Sequence, residues 1–304
     1  MSFFIFLLWI LLNGIFTFLT LTINVNIIFL IFILNLVYLI LSFFYIFKLK
    51  KNFICIISLI LCFILIIPNC LLIFNFDKKN SEFVIHAGGS LDNKNYLNCV
   101  EGLNYYSQNY NLIELDFLFT KDNEIMCLHY FEYLDGFDIN NRPTLEEIKN
   151  IKLFDKYTII TFDYLINFLK NNPSIKIIFD TKETDVHKLI NSMIDFSELV
   201  DFDIKDRFIL QVYSYENYLE LNNLNFKEYW FTNYKAQYSI KKINKYFEDK
   251  ENITTIVLYH TLWQVYKVFN FKTSKKIAVH TINDKSYINF LSNHGVDYIY
   301  VDYI

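Results

Sequence analysis

Six side chains of the sequence have the types and spacing needed for acid–base and metal chemistry. They are His86, Glu114, Asp116, His129, Asp180 and Lys182. Two of the carboxylates, Glu114 and Asp116, are two positions apart, so both project from one face of an extended strand. Three carboxylates suit a hard divalent cation such as calcium or magnesium. Two histidines can exchange protons near neutral pH, and a lysine can bind a phosphate.

Each of these features also has an ordinary structural explanation when it is taken alone. A histidine at the end of a strand is more often structural than functional. An acidic pair such as Glu114 and Asp116 is more often solvated or salt-bridged than metal-binding. Lys182 lies two positions from Asp180 and can form a plain ion pair with it. The functional interpretation therefore depends on a fold that brings all six side chains together.

Strands and helices alternate along the chain from Glu82 onward, which is typical of βα units and a parallel sheet. Apolar runs predict strands at 83–85, 112–117, 125–129, 175–181, 208–213, 229–232, 255–259, 276–280 and 298–301. Helical periodicity predicts helices at 99–108, 162–170, 186–196, 215–221, 240–247 and 286–294. About eight such units favour a TIM-type (β/α)8 barrel over an open doubly wound sheet, because no Gly-rich fingerprint is present.

The predicted strands place the candidate residues at one end of this barrel. Functional side chains of TIM-type barrels lie at the carboxyl ends of the strands. His86, Glu114, His129 and Asp180 lie at or near the ends of four different predicted strands. The connection at 120–123 is too short for a crossover helix, so its flanking strands should be antiparallel. We therefore expect an irregular barrel with the six side chains at its mouth.

The first quarter of the chain has the composition of a membrane region. Residues 1–47 contain no Asp, Glu, Lys or Arg, and neither do residues 52–76. The first run would form a helix about 70 Å long, more than twice the ~30 Å hydrocarbon thickness, so it should fold back. We expect transmembrane helices at 3–20, 26–47 and 53–74, within a region 1–76 that precedes a barrel at 83–304.

Three lysines indicate how these helices are oriented. Lys48, Lys50 and Lys51 lie between the second and third spans, and the positive-inside rule puts this connection in the cytoplasm. With three spans, the amino terminus is then cytoplasmic and the barrel is extracytoplasmic, whereas an absent or interfacial first span would put the amino terminus outside. Lys78 and Lys79, which follow the third span, favour the opposite orientation. The first span lacks a basic flank and a small-x-small cleavage site, so it differs from a typical signal peptide. The sequence predicts a multi-pass membrane protein.

The charge distribution argues against a nucleic-acid partner. The formal net charge is only -4, and no clustered Lys/Arg block of the kind found on nucleic-acid surfaces is present. Cys99 and Cys127 follow no zinc-ligand spacing, so we expect them to be packing residues.

Several further motifs follow one another along the chain. They are His86-Ala87-Gly88-Gly89, Asn98, Glu114-Leu115-Asp116, Thr120-Lys121-Asp122, Leu128-His129, Phe179-Asp180-Thr181-Lys182-Glu183, Val279-His280-Thr281-Ile282-Asn283 and Gly295-Val296-Asp297-Tyr298-Ile299-Tyr300-Val301-Asp302. Their order and composition resemble the signature of the glycerophosphodiester phosphodiesterase family over about residues 83–304. The resemblance implies an irregular TIM-type barrel related to the phosphatidylinositol-specific phospholipases C.

The family resemblance also implies a function, namely that of a phosphoric diester hydrolase acting on glycerophosphodiesters or related phospholipid-derived diesters. A divalent cation, usually calcium with magnesium as the alternative, would be bound by Glu114, Asp116 and Asp180. The acid–base pair would be His86 and His129. A substrate hydroxyl next to the phosphate would attack it, and water would open the resulting cyclic phosphate.

Several positions depart from the family pattern. Ala87 stands where the family usually has an arginine, which removes a bidentate phosphate donor and leaves Lys182 as the implied substrate-binding residue. Tyr130 replaces the usual aspartate after the second histidine, and Asp180 replaces a glutamate that is one methylene longer. His280 replaces a tryptophan and can line the pocket. The Ala-Gly-Gly and Asp-x-Lys variants recur together in a branch of the family. The departures leave phosphodiester chemistry as the expectation and put the glycerophosphodiester substrate in doubt.

Other functions stay open at the level of the sequence. A phospholipase C-like lyase acting on lipid headgroups would release a cyclic phosphate, whereas a full hydrolase would release glycerol 3-phosphate. A catalytically degenerate, membrane-anchored binding protein is motivated by Ala87 and Tyr130, although the retained histidines and carboxylates argue against it. A transporter is disfavoured because the apolar spans contain no ionisable residue.

Overall fold

The computed structural model describes residues 80–233, 237–268 and 271–304. The membrane spans predicted at 3–20, 26–47 and 53–74 lie outside these residues. Within the described ranges, no helix combines the length and the apolar composition that a bilayer span requires.

The described residues belong to two compact units. The larger unit consists of Ser81–Tyr259, Thr273–Asn283 and Asp297–Ile304, and it contains every strand that the structure describes. The second unit includes the segments His260–Lys272 and Asp284–Val296, each of which carries one helix.

The strands of the larger unit form a closed barrel. In chain order they are β1 (Glu82–Ile85), β2 (Leu112–Phe119), β3 (Ile125–Cys127), β4 (Lys152–Leu153), β5 (Tyr157–Thr158), β6 (Ile160–Thr161), β7 (Lys176–Thr181), β8 (Phe208–Val212), β9 (Glu228–Thr232), β10 (Ile253–Tyr259), β11 (Lys276–His280) and β12 (Tyr298–Val301). Eight of them pair in parallel in the order β1, β2, β7, β8, β9, β10, β11 and β12, and β12 pairs with β1. The predicted TIM-type barrel is therefore confirmed.

The barrel is irregular at its second strand. β2 pairs antiparallel with β3, and β3 pairs antiparallel with β6, while β4 and β5 form a separate antiparallel pair. The β2–β3 hairpin confirms the antiparallel connection expected at 120–123. The two-residue strands β4, β5 and β6 were not predicted, because segments this short leave no periodic pattern in a sequence.

The described part of the chain contains nine α-helices. They are α1 (Val100–Tyr106), α2 (Leu145–Asn150), α3 (Phe162–Asn171), α4 (Val186–Leu199), α5 (Ile204–Arg207), α6 (Tyr215–Asn222), α7 (Ile240–Phe247), α8 (His260–Val268) and α9 (Lys285–Ser292). Side-chain caps set several starts, because they satisfy N–H groups that lack a partner within the helix. Asp185, Ser214 and Ser239 cap α4, α6 and α7, and Thr144 forms a capping box with Glu147 at α2.

The inward-facing side chains of the barrel change from apolar to polar along the strands. One buried cluster consists of Val84, Leu112, Ile178, Ile209, Trp230, Val257, Ala278, Tyr298 and Tyr300. Side chains two positions apart in a strand point the same way. The next position after Leu112 on this face is Glu114, and Asp116 follows it. After Ile178 comes Asp180. The alternation that fills the barrel therefore also places the candidate residues at its carboxyl end.

Candidate active site

A cavity of about 600 Å³ opens at the carboxyl ends of the barrel strands. Its lining includes all six residues singled out in the sequence, namely His86, Glu114, Asp116, His129, Asp180 and Lys182. Their convergence at one barrel mouth is confirmed, whereas their chemical roles stay predictions.

Two of the carboxylates are almost completely buried and are held by specific donors. Glu114 is 3% exposed, and its Oε2 accepts a hydrogen bond of 2.6 Å from the Ala87 backbone N–H. Asp116 is 2% exposed and is held twice by Asn98, whose amide donates to Oδ2 at 2.9 Å and accepts from the Asp116 N–H at 2.9 Å. Both carboxylates therefore have one defined orientation.

The third carboxylate, Asp180, is oriented from two sides. The Tyr213 hydroxyl donates a hydrogen bond to its Oδ1, and the Lys182 ammonium lies 2.6 Å from its Oδ2. The same ammonium lies 3.4 Å from Asp116 Oδ1. Ligand oxygens of Glu114, Asp116 and Asp180 all lie within 4.8 Å of one another. This oxygen donor set fits a calcium or magnesium ion.

Electrostatics explain why such a cluster needs positive charge. Burial and the negative charge of Asp116 raise the pKa of Glu114 to about 8, because both disfavour the ionised form of this carboxyl group. For Lys182, burial acts against the charged form, but the charges of Asp180 and Asp116 outweigh it and raise its pKa above the ordinary value. Lys182 alone does not balance three carboxylates. Lys182 and a divalent cation together would.

His86 is held by the carboxylate of the residue that directly follows the last barrel strand. Its Nδ1 lies 2.8 Å from Oδ1 of Asp302, and its Nε2 lies 3.9 Å from Glu114 Oε2. Burial disfavours the His86 cation, but the hydrogen bond to Asp302 and the charge of Glu114 outweigh burial and raise the pKa of His86 to about 9. Asn283 in turn donates to Asp302 Oδ2 at 2.8 Å and accepts from the Asp302 N–H.

His129 lies two residues beyond β3 in a different environment. Its Nε2 is 3.9 Å from Asp116 Oδ1, and its Nδ1 is buried with no hydrogen-bond partner among the described residues. Burial lowers the pKa of His129, and the charge of Asp116 opposes this shift only in part. The pKa values of the two histidines are therefore displaced in opposite directions.

Comparisons with known proteins agree with this geometry at the level of the fold. No family model matches the sequence, and no curated protein matches it. The structure is similar to a glycerophosphodiester phosphodiesterase from Parabacteroides distasonis, with a TM-score of 0.58 and 18% identity, covering 74% of this chain and 94% of the other. The chain has the fold of the glycerophosphodiester phosphodiesterases. Enzymes of this name from Agrobacterium tumefaciens (TM-score 0.56, 16% identity, coverage 74% and 97%) and Thermotoga maritima (0.53, 17%, 74% and 96%) are also similar.

One departure from the motif pattern of glycerophosphodiester phosphodiesterases has a clear structural consequence. Ala87 is fully buried and does not line the cavity, so position 87 contributes backbone groups, namely its N–H to Glu114 and its carbonyl oxygen to the Asn98 N–H. Among the described residues that line the cavity, Lys182 is the one lysine or arginine. Besides Lys182, the basic side chains among these lining residues are His86, His129 and His280.

Several residues at or beside the mouth were not predicted from the sequence. Asp302 lies in the last quoted motif but was not recognised as the partner of His86, because their contact depends on closure of the barrel between β12 and β1. Tyr213 follows β8, and its contact with Asp180 is visible only in three dimensions. Tyr96 lies in a loop whose conformation no pattern predicts. His280, expected to line the pocket, does so.

Proposed function

We propose that this chain is a metal-dependent phosphodiesterase that hydrolyses glycerophosphodiesters or related phospholipid-derived diesters. The observation that carries the proposal is the cluster of three carboxylates within 4.8 Å of one another, with His86 and His129 beside it. The similarity of the barrel to solved glycerophosphodiester phosphodiesterases supports the same reaction class.

A divalent cation, with calcium as the first choice and magnesium as the alternative, would be held by Glu114, Asp116 and Asp180. When bound, it would offset negative charge on the phosphoryl oxygens and polarise the phosphorus centre. The hydrogen bonds from Ala87 and Asn98 would keep two of the ligands in place, which is how supporting residues tune a metal site.

Proton transfer is assigned to the two histidines. Because Nδ1 of His86 is bound to Asp302, its Nε2 is the atom that donates a proton, and the Asp302 carboxylate stabilises the cation. His129, whose pKa is lowered by burial, accepts a proton. A substrate hydroxyl next to the phosphate gives its proton to His129 as its oxygen bonds to phosphorus. The bond to the leaving alcohol breaks, and that oxygen takes the proton from His86.

The second half of the reaction would reverse these roles. Water gives a proton to His86 as its oxygen attacks the cyclic phosphate, and the ring oxygen that leaves takes the proton from His129. Lys182 would bind a non-bridging phosphoryl oxygen, since its ammonium lies between Asp116 and Asp180 at the cavity wall. The products of a glycerophosphodiester are then glycerol 3-phosphate and the free alcohol.

The proposal is tested by assaying the purified full chain with glycerophosphodiesters in calcium or magnesium, with and without a chelator. We expect chelation to stop cleavage and His129→Ala to reduce kcat by about 10²–10⁴-fold. His187→Ala, on helix α4, is the matched control and should leave the rate unchanged. Cleavage that survives both chelation and His129→Ala would contradict the assignment. A cyclic phosphate that accumulates as the final product would indicate a lyase instead.

We also propose that residues 1–76 anchor the barrel to a membrane, with the barrel on the extracytoplasmic side. The charge-free runs and the basic connection at Lys48, Lys50 and Lys51 support this arrangement. The full chain should stay in the membrane fraction after an alkaline carbonate wash. Protease added to intact cells should digest the barrel. A barrel that is protected until the cells are permeabilised would reverse the orientation.

A further inference from the structure

The two histidines of the mouth are held in different ways. His86 has a hydrogen bond between Nδ1 and Asp302, which fixes the direction of its ring. For His129, Nδ1 is buried without a hydrogen-bond partner among the described residues, and Nε2 is 3.9 Å from Asp116, beyond hydrogen-bond distance. A hydrogen bond on one ring nitrogen usually orients a catalytic histidine. His129 therefore needs another source of orientation.

Two tyrosines pack against the His129 ring in different planes. The Tyr96 ring centroid lies 4.5 Å from that of His129 at an interplanar angle of 47°. The Tyr130 centroid lies 3.9 Å away at 76°. Rotation of a histidine ring about its last torsion is broad in the absence of contacts. Two tyrosine rings at these distances restrict the rotation of the imidazole.

Tyr96, whose ring packs against His129, has a strained backbone conformation. Tyr96 has φ 59, in the left-handed region that bulky residues seldom adopt. Such strain persists only where the surrounding structure imposes it, and it is concentrated at functional sites. The next residue, Leu97, is fully buried, and Asn98 is held by Asp116. These anchors keep the Tyr96 ring in the barrel mouth, where it lines the cavity.

We propose that Tyr96 and Tyr130 are positioning residues that hold the His129 ring for proton transfer, an inference that rests on the catalytic role of His129 proposed above. Ring packing from two sides takes the place of a hydrogen bond to Nδ1. The ring contacts do not require the hydroxyl groups, so phenylalanine preserves the function and leucine does not. This proposal gives Tyr130, the residue directly after His129 in the chain, a positioning role.

Phenylalanine and leucine substitutions in the full-length protein separate the ring from the hydroxyl. We expect Tyr130→Leu and Tyr96→Leu to lower kcat by about 10- to 100-fold, since misplacing a reacting group has effects of this size. KM should stay within about threefold of the original value, because a loss confined to the chemical step leaves substrate binding intact. Tyr130→Phe and Tyr96→Phe should retain most of kcat. Tyr105→Leu, at a tyrosine of helix α1 that is 61% exposed, is the control and should change neither constant.

A double variant tests whether the effect of Tyr130 passes through His129. In a His129→Ala background, adding Tyr130→Leu should produce no further loss, because residues that act as one unit are not additive. A further tenfold loss in that background would overturn the proposal. So would phenylalanine variants as impaired as the leucine variants, or a rise in KM with kcat unchanged.

A structural measurement keeps the proposal testable independently of activity. We expect crystal structures of Tyr130→Leu and Tyr96→Leu to show the His129 ring in more than one orientation, with His86 unchanged in Tyr130→Leu. A single, unaltered His129 orientation in both variants would refute the positioning role. A wild-type protein that cleaves no diester would instead count against the proposed function, so the two failures are distinguishable.

Discussion

The two halves of the barrel mouth share one architecture and differ in chemistry. The half formed by β1, β2, β3 and β7 ends in charged or titratable side chains, namely His86, Glu114, Asp116, His129, Asp180 and Lys182. The half formed by β8 to β11 carries Gln211, Tyr213, Thr232, Tyr259 and His280 at the cavity. In both halves the two-residue alternation along the parallel strands places most of these side chains above the barrel core. His129 is the exception, because it follows β3, which pairs antiparallel with β2. The two halves differ in which residues occupy these positions.

The two halves have different roles in the proposed enzyme. The charged half concentrates three carboxylates, two histidines and a lysine, so interactions there change greatly as charge develops on the phosphate. The opposite half presents neutral hydrogen-bonding and aromatic groups, which suit the alcohol portions of the diester. Substitutions in the charged half should therefore lower kcat and weaken cation binding. In the neutral half, substitution of His280 should act on KM, whereas Tyr213 is bound to Asp180 and belongs functionally with the carboxylate cluster.

The largest effect is expected for Asp116→Asn, which removes one charge from the carboxylate cluster while keeping the side-chain size. We expect kcat/KM to fall by about 10³-fold, because the cation would lose a central ligand. Calcium should also cease to raise the thermal unfolding temperature, since that rise requires binding to the folded state. Asp249→Asn, at an exposed ion pair, is the control. An undiminished calcium-induced rise in Asp116→Asn would place the cation elsewhere.

A smaller effect is expected for Asp302→Asn, which leaves the ligand cluster intact and removes the charged partner of His86. The pKa of His86 is raised to about 9, so its protonated form is present below that pH and is lost as pH rises through it. Without the Asp302 charge this pKa falls, and the alkaline limb of the kcat profile should move to lower pH. We expect kcat to drop by about 10- to 100-fold. An unshifted alkaline limb would argue against His86 as the proton donor.

Most cavity residues of the charged half were predicted from the sequence, whereas few of those in the neutral half were. Glu114 and Asp116 were predicted because a strand with two buried acidic positions stands out among apolar runs. Tyr213 and Tyr259 were not, because tyrosine is abundant in this chain and is usually a core residue. Asp302 was missed for another reason: its partner is 216 positions away, and only barrel closure brings them together.

An effect on substrate binding alone is expected at His280, which ends β11 in the neutral half. His280→Ala should raise KM by about tenfold with little change in kcat, because the side chain is removed from the cavity wall and not from the proton-transfer pair. Steady-state kinetics with two diesters that differ in their alcohol would measure this. A fall in kcat as large as the one expected for Asp302→Asn would contradict the separate roles assigned to the two halves.

The smallest effect on activity is expected at Thr232, whose hydroxyl donates a 2.7 Å hydrogen bond to Gln211 Oε1 within the buried wall. Thr232→Val leaves the Gln211 oxygen without this donor, so the free energy of unfolding should fall by about 1–3 kcal/mol. Both kcat and KM should remain near their original values. Thr232→Ser, which keeps the hydroxyl, is the matched control. Urea denaturation of the variants measures the difference.

The most direct test of the central claim is the rate of glycerophosphodiester cleavage as a function of free calcium, for the original protein and for Asp116→Asn. We expect no cleavage without a divalent cation and a saturable rise with calcium in the original protein. In Asp116→Asn we expect that rise to be lost. A rate that is independent of the cation, or a full calcium response in Asp116→Asn, would contradict the proposed metal dependence.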